Sequence, residues 1–137
     1  MNILKGTQLV YDFIKALNTY KGIRVNRSVI SRNVFEFHCQ VNCLLYVKGR
    51  AEKPYRWGVT ANVVDRLQAK KLRWYVILLF ESFEKGYLLT SNDVEHYIQH
   101  VWPLGADGDY KPANGSYLSR SSPIYGIQAF VDAIENI

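Results

Sequence analysis

A chain of 137 residues, 48% hydrophobic and 14% aromatic, has enough apolar material for one domain with its own core and too little for two, so residues 1–137 are expected to fold as a single domain. Its net charge of +5 is unevenly spread: six Lys/Arg against two acids over residues 1–47, eight against two over 48–73 and three against eight over 74–137, which points to a polyanion facing one side of the domain or, more plainly, to a solvated basic face. Two cysteines do not make a disulfide framework, no segment reaches the roughly 20 apolar residues of a membrane span, and the opening MNILKGTQLVYDF lacks a signal peptide's apolar core, so the expectation is reduced, buried Cys39 and Cys43, a cytoplasmic location and no membrane partner.

Taken in chain order, TQLVYDFIKALNT (residues 7–19) puts Leu9, Val10, Phe13, Ile14 and Leu17 on one stripe at helical spacing, with Thr7 placed to cap it. After Gly22, IRVNRSVIS alternates apolar and polar residues, and VFEFHCQVNCLLYV is rich in β-branched and aromatic side chains; together they predict two or three strands, the last ending near Lys48. Pro54 and Gly58 break the chain, and Thr60 opens TANVVDRLQAKK as a second helix. WYVILLF, residues 74–80, is apolar on both faces and reads as a central buried strand. A short strand at Gly86–Leu89, a helix capped by Ser91 or Asn92, a long loop from Trp102 and a C-terminal helix in IQAFVDAIENI complete the pattern.

Helix, strands, a strand ending in lysine, helix and strand, in that order over roughly residues 5–90, resemble the PD-(D/E)XK nuclease fold, the scaffold of many restriction enzymes and Holliday-junction resolvases. The resemblance implies a single α/β domain with a mixed central sheet flanked by helices, restriction endonuclease-like, that binds nucleic acid, DNA above all, and cleaves phosphodiester bonds with magnesium. Such cleavage uses carboxylates to hold the ion and a lysine to polarise the attacking water. Glu36 in FEF then falls at the first metal carboxylate, Lys48 in YVKGR at the signature lysine, and Asp12 on the first helix at the accessory acid. Tyr46 stands where the signature has an acid, two residues before Lys48, and a phenol does not hold magnesium as a carboxylate does. Either Glu52 supplies that acid from elsewhere, or the fold persists without catalysis as an interaction or regulatory protein. Nucleases of this fold frequently dimerise, so a homodimer is a further implication. On the plainer reading Lys48 guards an edge strand and Glu36 faces solvent between two buried phenylalanines.

A second resemblance covers a shorter span. WGVTANVVDRL is similar to the segment of GIY-YIG nucleases in which a glycine, Thr-x-Asn and Arg-Leu follow the second tyrosine motif, with Arg66 at the catalytic arginine. Tyr46 would be the first motif's tyrosine and Glu95 the metal-binding glutamate; the second motif departs, reading Arg56-Trp57-Gly58 with Tyr55 displaced by one. Under either resemblance, or in a binder without catalysis, Lys48, Arg50, Lys53, Arg56 and Arg66 are expected to contact phosphates, while Tyr55 and Trp57 offer flat faces to unpaired bases. The plainer reading of Trp57 is a core residue locking the turn.

Other chemistries find less support. His38, Cys39 and Cys43 lie close in sequence, and His96 and His100 share a helix face, but neither spacing is a strong zinc pattern. Asp107 and Asp109 open like a calcium loop that no later glutamate closes, so a turn is expected there. No Gly-x-Ser-x-Gly, phosphate-binding P-loop or dinucleotide glycine pattern is present.

Overall fold

The computed structural model describes residues 2–136. The amphipathic N-terminal stripe forms α1 (Asn2–Asn18), which begins before Thr7, so Thr7 is not its cap. The alternating segment that follows is strand only over β1 (Arg24–Arg27), and the chain then turns into the hairpin of β2 (Val34–His38) and β3 (Asn42–Arg50). After β4 (Val59–Thr60) come α2 (Ala61–Gln68) and β5 (Arg73–Phe80). The remainder is β6 (Lys85–Thr90), α3 (Ser91–His100), β7 (Asp109–Tyr110), β8 (Pro123–Tyr125) and α4 (Ile127–Asn136).

Six strands make one mixed sheet in the order β1-β2-β3-β5-β6-β8, with β3 and β5 parallel and every other neighbouring pair antiparallel. A parallel neighbour requires a crossover, and α2 supplies it. β5 lies between β3 and β6 and buries residues 74–79 completely, as its apolar run predicts. One face of the sheet packs Phe35, Leu45, Val47, Ile77 and Leu79 against Val10, Phe13 and Leu17 of α1 and Phe130 and Ile134 of α4. The other packs Val34, Leu44, Tyr46, Val76 and Leu78 against Val64 and Leu67 of α2 and Val94 and Tyr97 of α3. The result is a single α/β domain of three layers.

The long loop after Trp102 is more ordered than its composition suggests. Its β7 pairs with β4, placing Asp109 opposite Thr60, and β8 extends the main sheet along β6. The cap of α3 is Thr90 rather than Ser91 or Asn92: Thr90 Oγ1 accepts from the Asp93 N–H at 3.2 Å, and the Asp93 carboxylate accepts from the Thr90 N–H at 3.3 Å. This reciprocal box satisfies two donors that a helix start leaves open. Thr90→Ala is expected to lower stability by about 1 kcal/mol, seen as a lower urea midpoint with an unchanged slope.

Candidate functional site

The site grows from the mismatch in length between β2 and β3. Their register pairs Val34 with Tyr46, and Asn33 continues it by one residue, taking the Val47 N–H on its carbonyl and donating from Nδ2 to the Val47 carbonyl. Beyond that point β3 runs on through Lys48, Gly49 and Arg50, paired with β5 alone. On one side of this edge lies the start of α1, and on the other the turn at residues 56–58. Between them opens a cleft of about 520 Å³ lined by Gly6, Thr7, Tyr11, Arg32, Lys48, Gly49, Arg50, Arg56 and Trp57. It sits at the carboxyl ends of the parallel pair β3 and β5, where α/β sheets commonly take ligands.

Two glycines set the narrow end of this cleft. A Cβ on Gly6 would stand 2.5 Å from the Gly49 carbonyl oxygen, and one on Gly49 would stand 2.5 Å from the Gly6 carbonyl oxygen. Only paired glycines let the helix lie backbone to backbone on the strand. That contact offsets the weak helix propensity of Gly6.

The cleft is cationic. Arg32 and Arg56 are exposed, Lys48 is half-buried, and none of the three forms an ion pair or a side-chain hydrogen bond among the described residues. Arg50 donates from Nε to the Glu52 carbonyl at 3.1 Å. Burial pushes the Lys48 ammonium below its ordinary pKa; Asp109 pulls it back up, and Arg32 pushes it further down. Asp109 arrives from β7 with its carboxylate over Gly58, where an added Cβ would stand 2.9 Å from Oδ2. Among the described residues it is the one carboxylate whose field reaches both Lys48 and Tyr46.

The structure corrects several sequence expectations. Glu36 shares the Lys48 face of the sheet but pairs with Leu44, four residues and roughly 13 Å up the strand, and its carboxylate faces His38 at 3.5 Å. The expected catalytic pair is therefore not brought together. Glu52 is exposed and ion-paired with Lys5 at 2.5 Å, outside the cleft lining. Asp12 accepts from Gln8 at 2.8 Å and also lies outside it. The positions flanking the hairpin register here are Val34 and Tyr46, both buried; Tyr46 uses its hydroxyl to accept the Thr60 N–H at 3.1 Å, and burial pushes its phenol up. Glu36, Glu52 and Asp12 thus do not fit a magnesium ion beside Lys48, and no group of three His, Cys, Asp or Glu that would hold a metal occurs among the described residues.

The aromatic and arginine expectations divide similarly. Trp57 is 5% exposed and donates from Nε1 to the Leu79 carbonyl at 2.8 Å, so it is the core residue of the plainer reading, with one edge at the cleft. Tyr55 is buried against Phe80, with ring centroids 5.1 Å apart, and its hydroxyl donates to Glu81 at 3.0 Å. Neither can stack on a base. Lys53 is exposed and outside the cleft lining, and Arg66 donates from Nη1 to the Ile30 carbonyl at 2.6 Å, tying α2 to the turn before β2. Glu95 is exposed on α3, away from the cleft.

The other sequence patterns resolve into local structure. His96 and His100 lie with ring centroids 5.1 Å apart and planes tilted by 45° on α3, Cys39 Sγ sits 3.0 Å from Glu135, and Asp107 pairs with Lys111 at 2.5 Å. Cys43 is buried, and burial raises its thiol to about 12. Among the described residues no helix is long and apolar enough to cross a membrane. Arg32 and Tyr11 are cleft residues that the linear pattern missed, and Asp109 stands beside the lining at Gly58; each enters through an element remote from Lys48 in sequence. No family model, curated protein or solved structure matches the chain.

Proposed function

We propose that this domain binds nucleic acid by its phosphate backbone in the cleft at the end of β3, on a scaffold of the restriction endonuclease type that does not rely on a magnesium site at Lys48. The observation that carries the reading is the convergence of Arg32, Lys48, Arg50 and Arg56 on one cleft, none of them in an ion pair and all but Arg50 without a side-chain hydrogen bond among the described residues. Cations left unpaired around a concavity are poised for a polyanion, and a sugar-phosphate chain presents one charge per nucleotide to each strand. The element order supports the scaffold: an antiparallel hairpin, a parallel crossover through α2, then an antiparallel neighbour. Contacts of this kind carry little sequence information.

The test is fluorescence anisotropy with labelled single-stranded and duplex DNA and RNA across a salt series, for the wild type and for Arg32→Ala/Lys48→Ala/Arg56→Ala. The wild type is expected to bind with a steep salt slope, and the triple variant to lose about 0.7–0.9 of slope per phosphate contact removed. Equal affinity and slope in the two proteins would remove the cleft from the reading. Incubation with supercoiled plasmid in magnesium and in manganese is expected to leave it uncut, and nicking abolished by Lys48→Ala would restore a metal-dependent nuclease.

A further inference from the structure

Resting on that reading, we infer that the cleft takes an unpaired nucleotide, with Tyr11 as the surface on which its base stacks while Lys48 and Arg56 hold the neighbouring phosphates. The ligand class is therefore single-stranded nucleic acid or a frayed end rather than intact duplex.

Tyr11 lies one residue beyond Val10 on α1, about 100° round the helix from the buried stripe. That offset brings it out of the core and onto the cleft wall, where it is 49% exposed. Its ring makes no aromatic contact and its hydroxyl no hydrogen bond among the described residues. A single exposed tyrosine is ordinary on a protein surface. One placed inside a concavity whose other wall is cationic is not, because that pairing of a flat apolar face with phosphate donors is what single-strand binders use. The Gly6–Gly49 contact anchors the same stretch of helix to β3, so the ring is carried on a rigid element at a fixed distance from Lys48.

Size points the same way. About 520 Å³ lies in the range of roughly 300–1,000 Å³ that encloses one small organic group. In a duplex the bases are already stacked on one another, and only phosphates on its outer surface would reach the rim. Lys48, set back in the cleft and half-buried, would then contribute little. A strand with a free base can place its phosphates deeper. An acidic peptide offers the charge but no flat face for Tyr11.

The test compares three labelled probes of equal length at one salt concentration: a thymidine oligonucleotide, the same backbone with abasic sites, and a blunt duplex. Wild type, Tyr11→Ala and Tyr11→Trp are each titrated, with thermal melts to establish that the variants fold. The thymidine strand is expected to bind about tenfold more tightly than the abasic one. Tyr11→Ala should erase that difference without changing the salt slope, and Tyr11→Trp should keep or widen it. Equal affinity for thymidine and abasic strands, tighter binding of duplex, or an unchanged preference in Tyr11→Ala would overturn the stacking role and leave the phosphate reading standing. Polyglutamate competing as strongly as the abasic strand would overturn the ligand class, and binding of none of the three probes would overturn the proposed function with it.

Discussion

Gly49→Ala is expected to destabilise the domain by about 3 kcal/mol, at the upper end of what an added methyl in a close-packed contact brings, and to lower the melting temperature by on the order of 10 °C. The new Cβ would lie 2.5 Å from the Gly6 carbonyl oxygen and 3.2 Å from the Leu9 Cβ. The first of these is backbone, held by the hydrogen bonds of α1, so no side-chain rotation relieves it. The helix must lift away from β3, and Val10 and Phe13, fully packed one turn and two turns further on, lift with it. Because α1 forms one wall of the cleft, the same variant should lose nucleic-acid affinity even at temperatures where it remains folded. Gly6→Ala is the matched case, with its Cβ 2.5 Å from the Gly49 carbonyl oxygen, partly offset by alanine's better helix propensity. A melt within a degree or two of wild type for Gly49→Ala would mean that α1 does not sit on β3 as described.

That contact also marks the limit of what can be read from the chain without coordinates. The stripe of Val10, Phe13 and Leu17, the apolar run of β5 and the crossover helix are local patterns, and each appears where its periodicity places it. The order of elements was legible for the same reason. Gly6 and Gly49, 43 positions apart, carry no local sign that they touch. Glu36 reads as a partner for Lys48 because both lie on adjacent strands, but the hairpin register sets Glu36 against Leu44 and brings Arg32 toward Lys48 instead. Register depends on the turn and on which face is buried, and a shift of two residues leaves the pattern of faces unchanged. Tyr55 reads as a surface aromatic beside basic residues, yet it is sealed by Phe80 and Glu81, more than twenty positions away. Asp109 reaches Gly58, beside the cleft, only because β7 pairs with β4, two short strands too brief to announce themselves. The basic character of the turn was legible, and so was α1 as a helix; that α1 faces the turn across the cleft was not.

Lys48→Met is expected to weaken nucleic-acid binding about tenfold, through loss of one charge-assisted phosphate contact, while raising stability at neutral pH by about 0.5–2 kcal/mol. The two effects have one cause. Burial pushes the Lys48 ammonium below its ordinary pKa, Asp109 only partly compensates, and Arg32 adds to the depression. The unfolded chain holds that proton more tightly than the folded one, so the charged lysine lowers stability at all pH below its folded pKa, and the penalty fades as pH rises through that value toward the unfolded one. The stability of wild type minus that of Lys48→Met should therefore be negative and flat through neutrality, then climb toward zero in the alkaline range. Taking the difference matters, because the buried Tyr46 phenol and Cys43 thiol, both pushed up by burial, make the whole domain lose stability over the same alkaline range in both proteins. A phosphate bound beside Lys48 supplies the charge its surroundings lack, so saturating wild type with single-stranded DNA should remove the neutral-pH difference. A variant less stable than wild type without ligand would make Lys48 a structural residue; one more stable that still binds with wild-type affinity would place the ligand elsewhere on the domain.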